Sequence, residues 1–160
     1  MGQIKVRRAM PADRDAIGRL WQELMEFHAH LDPGGFTPRP DALPVWLEWL
    51  DKLLAAGDAA VFVAEVEGQP VGYIIGGTAE KPPVYPDRRY GVVHDTCVTA
   101  DWRRRGVGQW LFKALLEWFR EQGLSEVRVG AAAANQVSNV FWQAMGFRPH
   151  VISMRRAVDL

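Results

Sequence analysis

Cysteine is almost missing from these 160 residues: only Cys97 is present, so the chain can form no internal disulfide and no cysteine-rich zinc site. No apolar run approaches the roughly 18 residues that a membrane span needs. The opening Met1-Gly2-Gln3-Ile4-Lys5-Val6 lacks the apolar centre of a secretion signal, and Val6 stands where a myristoylation signal wants Ser or Thr. Excess charge of one sign is lacking too. Lys and Arg total 19 against 19 Asp and Glu, a balance that argues against a general nucleic-acid binder. His30 and His150 have no partner at metal-ligand spacing, so no metal is expected. These absences predict a cytoplasmic, soluble protein with neither membrane nor nucleic acid as partner.

What is present suffices for a packed core. The chain is 48% hydrophobic and 24% charged, and its length fits one domain over residues 1–160. Ile4-Lys5-Val6-Arg7 alternates as a strand does. After Pro11, with Asp13 and Asp15 at a helix start, Ile17, Leu20, Trp21, Leu24, His28 and Leu31 recur at helical spacing. Four prolines and a Gly-Gly pair between Asp32 and Pro44 argue against regular structure there. Trp46, Trp49, Leu50, Leu53 and Leu54 predict a second helix, closed near Gly57. Ala60–Val66 and Val71–Ile75, with a turn at Glu67-Gly68-Gln69-Pro70, predict a hairpin. Residues 81–87 form a loop, Val92–Val98 a buried strand, and Glu126–Val129 another strand. Val107, Trp110, Leu111, Ala114, Leu115, Trp118 and Phe119 form the most regular helical stripe, ending at Gly123. Asn135 caps a last helix carrying Val137, Val140, Phe141 and Ala144 inward, and residues 147–158 are expected to close the sheet. The order is that of an α/β layer structure.

The segment from Val98 through Arg103-Arg104-Arg105-Gly106-Val107-Gly108 joins a strand to the start of the strongest helix. A first helical turn has unpaired N–H groups and partial positive charge, which suits an anion. Gly106 and Gly108 clear side chains from that turn, and arginines add bidentate phosphate donors. The spacing is neither a Walker A loop nor a dinucleotide-binding G-x-G-x-x-G. A solvated basic turn with packing glycines is the plainer alternative.

The segment resembles the acyl-CoA signature R/Q-x-x-G-x-G/A of the GNAT superfamily of N-acyltransferases, met by Arg103, Gly106 and Gly108. Asn135 to Phe147 is similar to the family's second block, N-x-x-A-x-x-[FL]-Y-x-x-x-G-F. The opening Ile4–Ala9 with Asp13 matches the family start, so the likeness covers nearly the whole chain. It implies a GNAT fold: a mixed, mostly antiparallel sheet, splayed at its centre, with helices on both faces. It also implies acetyl-CoA as co-substrate and direct acetyl transfer to a primary amine. A small-molecule amine is the first reading. A protein or peptide amine, or a non-catalytic acyl-CoA sensor, are the alternatives, and a homodimer stays open.

Residue by residue, the resemblance assigns the pyrophosphate to Arg103, Arg104, Arg105, Gly106, Val107 and Gly108, and counts Thr99 among the coenzyme-binding residues. Val98 would lend backbone groups to pantetheine and an N–H to the oxyanion. Asn135, Ser138, Asn139 and Trp142 share a helix face that would meet the cofactor arm.

An alkylamine is mostly protonated at neutral pH, so a base must take its proton. Several family members carry a glutamate at the position matching His94, followed by aspartate. His94 titrates in the right range and is the first candidate; a hydrogen-bonded core histidine is the bland alternative. Strict alternation would send Asp95 to the opposite face unless the strand bulges, as it usually does in the family. Asp95 is therefore the second candidate. Trp142 stands where the family often has a tyrosine acid, and an indole cannot serve as one. Water or the Cys97 thiol could protonate the thiolate instead. Phe27, His28 and Phe36, with Trp49, would line the acceptor pocket, although His28 lies on a core stripe.

Overall fold

The computed structural model describes residues 2–158. Five strands run β1 (Ile4–Arg8), β2 (Ala59–Val66), β3 (Gln69–Glu80), β4 (Arg89–Val98) and β5 (Val127–Val129). The helices are α1 (Arg14–Leu31), α2 (Pro33–Phe36), α3 (Ala42–Ala55), α4 (Val107–Glu121) and α5 (Gln136–Ala144). The strands are hydrogen-bonded in sequence order; the first three pairings are antiparallel and β4–β5 is parallel. That is the mixed, mostly antiparallel sheet expected. The chain divides into two compact units, up to Gly130 and from Ala131 onward.

In the first unit, alternation along each strand sorts side chains to two faces. Val61, Val63, Tyr73, Ile75 and Cys97 meet Ile17, Leu20 and Trp21 of α1 and Leu50 of α3. On the other face α4 lies against the sheet so closely that a Cβ at Gly76 would stand 2.6 Å from Leu115. Helices therefore cover both faces. Arg7 ties the start of the chain together: its guanidinium donates twice to Asp13, at 2.7 and 2.9 Å, and once to Glu65 at 2.7 Å.

Three expectations are corrected. Residues 32–44 are not wholly irregular: α2 is a single helical turn, and α3 begins at Ala42. Pro33 and Pro44 occupy first turns, where the missing N–H has no helical partner to lose, and Pro38 and Pro40 lie in the link between the two helices. Asp32 caps α2 by accepting from Gly35 N–H at 3.1 Å. Residues 147–158 carry no strand. Apolar alternation makes a strand only where an edge pairs with it, and none does among the described residues. In α5, Val137 and Val140 are 77% and 65% exposed, while Asn135 and Trp142 are buried. The covered stripe is Asn135–Ser138–Asn139–Trp142, because the wide indole outweighs two valines in apolar area.

Candidate active site

The site begins with a register change. Ile75 pairs with Asp95 but Gly76 pairs with Val93, so His94 is the extra residue of a β-bulge. Its side chain turns to the α1/α3 face: a Cβ at Gly77 would lie 2.8 Å from His94 Nε2, so glycine there makes room for the imidazole. Trp49 of α3 meets the ring edge-on at 5.8 Å. Asp95 shares this face with Tyr73 and Ile75, and two consecutive residues thus point the same way. The bulge that the resemblance requires is present.

The two groups have different surroundings. His94 keeps one side open to solvent, and partial burial of the other lowers its pKa below the ordinary histidine value. Asp95 is more enclosed, and burial pushes its carboxyl up to about 6. Beside it stands the Tyr73 hydroxyl, which is buried and close enough to moderate the Asp95 shift, though among the described residues no partner meets full hydrogen-bonding geometry. Burial, and then the Asp95 charge, raise the Tyr73 phenol well above its ordinary range. Cys97, opposite Tyr73, is buried and its thiol is pushed up to about 12. Transfer of its proton to a departing thiolate of ordinary pKa near 8.5 runs uphill, which makes Cys97 a poorer proton donor than water-accessible groups.

The same strand offers its edge. β4 pairs with β5 only through Val93, and His94 to Val98 continue without a β5 partner. Thr99 N–H donates to Val71 O, and Cys97 lies opposite Tyr73. Backbone groups of an antiparallel strand alternate in direction, so Asp95 and Cys97 bond to β3 while Thr96 and Val98 face the open edge. The Val98 carbonyl accepts from Arg103 Nε at 2.8 Å. Its N–H still points outward, where the oxyanion donor was expected.

The strand then passes through a short turn (Ala100–Trp102) into the arginine–glycine segment. Arg104 and Gly106 both take positive φ, +60° and +80°. Backbone of this kind turns successive N–H groups inward and forms anion-binding concavities. Gly106 caps α4 without a side chain, and the first helical bond is Trp110 N–H to Gly106 O. The N–H groups of Val107, Gly108 and Gln109 lie ahead of that bond. A Cβ at Gly106 would meet nothing within 4 Å, so the space above the turn is clear. Arg105 stacks on Trp102 at 4.9 Å. Arg103 is held toward α1 by Glu23. Arg104, Arg105 and the helical N–H groups could hold an anionic group at this turn.

Phe27, His28 and Phe36 come together, with ring centroids 5.7 and 5.3 Å apart in sequence. His28 Nδ1 lies 3.0 Å from Leu24 O. Trp49 belongs to another aromatic group, with Trp46, Tyr73 and His94. Trp21 stacks on Trp46 at 5.0 Å to extend it. In the second unit, Asn135 accepts from Ser138 N–H at 3.0 Å, and Asn139 donates to Ala132 O at 3.2 Å. Trp142 is clasped edge-on by Phe141 and Phe147.

Sequence reasoning passed over Glu23, Trp46, Thr96 and Tyr73. Glu23 lies four residues before Phe27, on one helix face, and that was its only signal. Tyr73 alternates with Val71 and Ile75, but its neighbour Asp95 emerges only from the register. Among the described residues no group of three His, Cys, Asp or Glu could hold a metal, and no helix is long and apolar enough to cross a membrane. A shallow depression lined by Val6, Trp110, Lys113, Ala114 and Glu117 lies at the β1 edge, on the opposite sheet face from His94.

The model of the acetyltransferase (GNAT) family matches residues 21–147. The chain belongs to that family. An uncharacterized N-acetyltransferase of Methanocaldococcus jannaschii is 29% identical over 108 residues, 64% of this chain and 45% of that protein. The chain thus spans about half the length of some curated relatives it matches. A mutant of the BH1408 protein from Bacillus halodurans superposes with a TM-score of 0.87 at 18% identity, covering 96% of this chain and 99% of that one. An aminoglycoside acetyltransferase from an uncultured soil metagenomic sample, in complex with sisomicin, gives 0.71 at 24% identity, covering 98% and 97%. At these identities the structures establish the GNAT fold.

Proposed function

We propose that this GNAT protein moves an acetyl group from acetyl-CoA directly to a primary amine of a small molecule. The observation that carries this is the bulge at His94, which turns His94 and Asp95 to one face where β4 parts from β5. Arg104, Arg105 and the N–H groups after Gly106 hold the pyrophosphate; the outward backbone of Thr96 and Val98 lies along the pantetheine arm. Bound acetyl-CoA supplies an activated carbonyl. His94 takes the proton that the amine loses as the C–N bond forms and the C–S bond breaks. The Val98 N–H faces the developing oxyanion. Asp95, held near pH 6 by its enclosure, is the second base. The thiolate leaves as an anion and is protonated by water, since Trp142 donates only through its indole nitrogen and Cys97 holds its proton too tightly.

The sisomicin-bound relative fold supports a small amine as acceptor. The test is calorimetric titration with CoA, followed by thiol release from acetyl-CoA across a panel of amines. Binding with turnover on a small amine supports the reading. Turnover on peptide amines alone would replace the acceptor class. Binding without any turnover would favour the sensor reading, which the indole of Trp142 in place of a phenolic acid favours. No CoA heat from folded protein refutes the proposal.

A further inference from the structure

We propose that Glu23, on α1, is a positioning residue for the coenzyme loop and acts through Arg103. This rests on the coenzyme reading above. One carboxylate oxygen of Glu23 accepts from the Ala100 N–H and from an Arg103 terminal nitrogen, both at 2.9 Å. The same guanidinium donates through Nε to the Val98 carbonyl at 2.8 Å and stands 5.8 Å from the Phe27 ring. A bracket thus spans from α1 to both sides of the turn that links β4 to the arginine–glycine segment.

The bracket has work to do because the next residue is strained. Arg104 takes φ +60°, a left-handed conformation that non-glycine residues seldom adopt without support from their surroundings. That conformation, with Gly106 at +80°, aims the N–H groups of the phosphate turn. An Arg103 anchored at three points holds the entry to the strained residue. Without Glu23, the entry is free to relax, and only part of the population keeps the turn competent for coenzyme. Apparent affinity falls in proportion to that fraction. The bracket also assigns Arg103, first letter of the coenzyme signature, to the protein itself and leaves the phosphates to Arg104 and Arg105. It joins the helix that carries Phe27, on the expected acceptor side, to the coenzyme side.

The test compares wild type, Glu23→Gln, Arg103→Ala and the double variant by CoA calorimetry and by steady-state kinetics. Each single change is expected to weaken CoA roughly three- to tenfold, as for one charge-assisted bond at a half-exposed site. The double variant should be no weaker than the worse single one, because both remove one bracket. The loss should appear in KM for acetyl-CoA, with kcat at saturation within about twofold, because the bracket acts on binding. Unchanged CoA affinity in Glu23→Gln overturns the proposal. So does tighter binding, which would mean that Glu23 withholds a phosphate ligand, or fully additive losses. If wild type itself shows no CoA heat, the proposed function falls and the bracket with it; wild-type binding with an indifferent Glu23→Gln removes the bracket alone.

Discussion

Replacing Asp95 by Asn should stabilise the protein, and only above a defined pH. Enclosure raises the carboxyl from its ordinary value of 3.8 to about 6. Between those values the folded state binds more protons than the unfolded state, so stability falls as pH rises from about 4 to about 6 and then levels. Below pH 4 both states are protonated and the penalty vanishes. A shift of that size corresponds to about 3 kcal/mol at most, at ~1.36 kcal/mol per unit. Residual water at the carboxylate reduces it to about 1–3 kcal/mol. The amide is neutral, nearly the same shape, and its oxygen can still accept from the neighbouring Tyr73 hydroxyl. Urea unfolding of wild type and Asp95→Asn at pH 4 and pH 7.5 reads the effect as a difference of differences. The variant should gain about 1–3 kcal/mol more at pH 7.5 than at pH 4, or about 2–4 °C in Tm per kcal/mol. An equal gain at both values, or a loss at pH 7.5, would refute the claim that Asp95 is ionised against a burial penalty.

Three other changes test other parts. His94→Ala should lower kcat/KM by roughly 10²–10⁴-fold and remove the acidic limb of its pH profile, which in wild type lies below the ordinary histidine value; a limb that persists would move the base elsewhere. Gly106→Ala meets no neighbour but must hold φ +80°, so it should cost about 1 kcal/mol in thermal stability and weaken CoA, whereas Ala tolerated with full CoA affinity would separate that turn from the coenzyme. Asp13→Asn leaves Arg7 short of its bidentate partner and should destabilise by about 1–3 kcal/mol at pH 7. Because Arg7 holds the Asp13 pKa low, that contribution is full above the unfolded carboxylate value near 4 and is lost on further acidification, which acid titration of the two proteins checks.

How much could be read beforehand depended on how local each cause was. The stripe from Val107 to Phe119 needs only its own spacing, and α4 buries it except at Trp110, which is 46% exposed. The helix start at Gly106 and the hairpin turn at Glu67-Gly68 are written in neighbouring residues. His94 and Asp95 are different. Alternation alone parts them, and they share a face only because Gly76 and Gly77, far off in β3, accept a register change and leave room for an imidazole. Glu23 was hidden for the same reason: its partners lie 77 and 80 positions away. The α5 face was misjudged because apolar count was weighed rather than area. Two valines lost to one tryptophan whose helix neighbours Asn135 and Asn139 satisfy their polar atoms locally.

Under the proposed function, one strand serves two chemistries because of its parity. From Asp95 to Val98, the odd residues give their backbone to β3 and their side chains to the α1/α3 face. The even residues, Thr96 and Val98, give their backbone to the edge that β5 leaves open. A regular strand would therefore place one candidate base, Asp95, on the acceptor face within this stretch. The bulge adds a second, His94, without disturbing the edge, since the extra residue lies before the alternation that Thr96 and Val98 follow. The proposed deprotonation and coenzyme contact would thus be separated by the strand's own thickness. This predicts that substitutions at His94 alter the pH profile while leaving CoA affinity near wild type, and that changes in the Arg104–Gly108 turn do the reverse. If His94→Ala weakened CoA as strongly as Gly106→Ala, the two roles would not be divided along this strand.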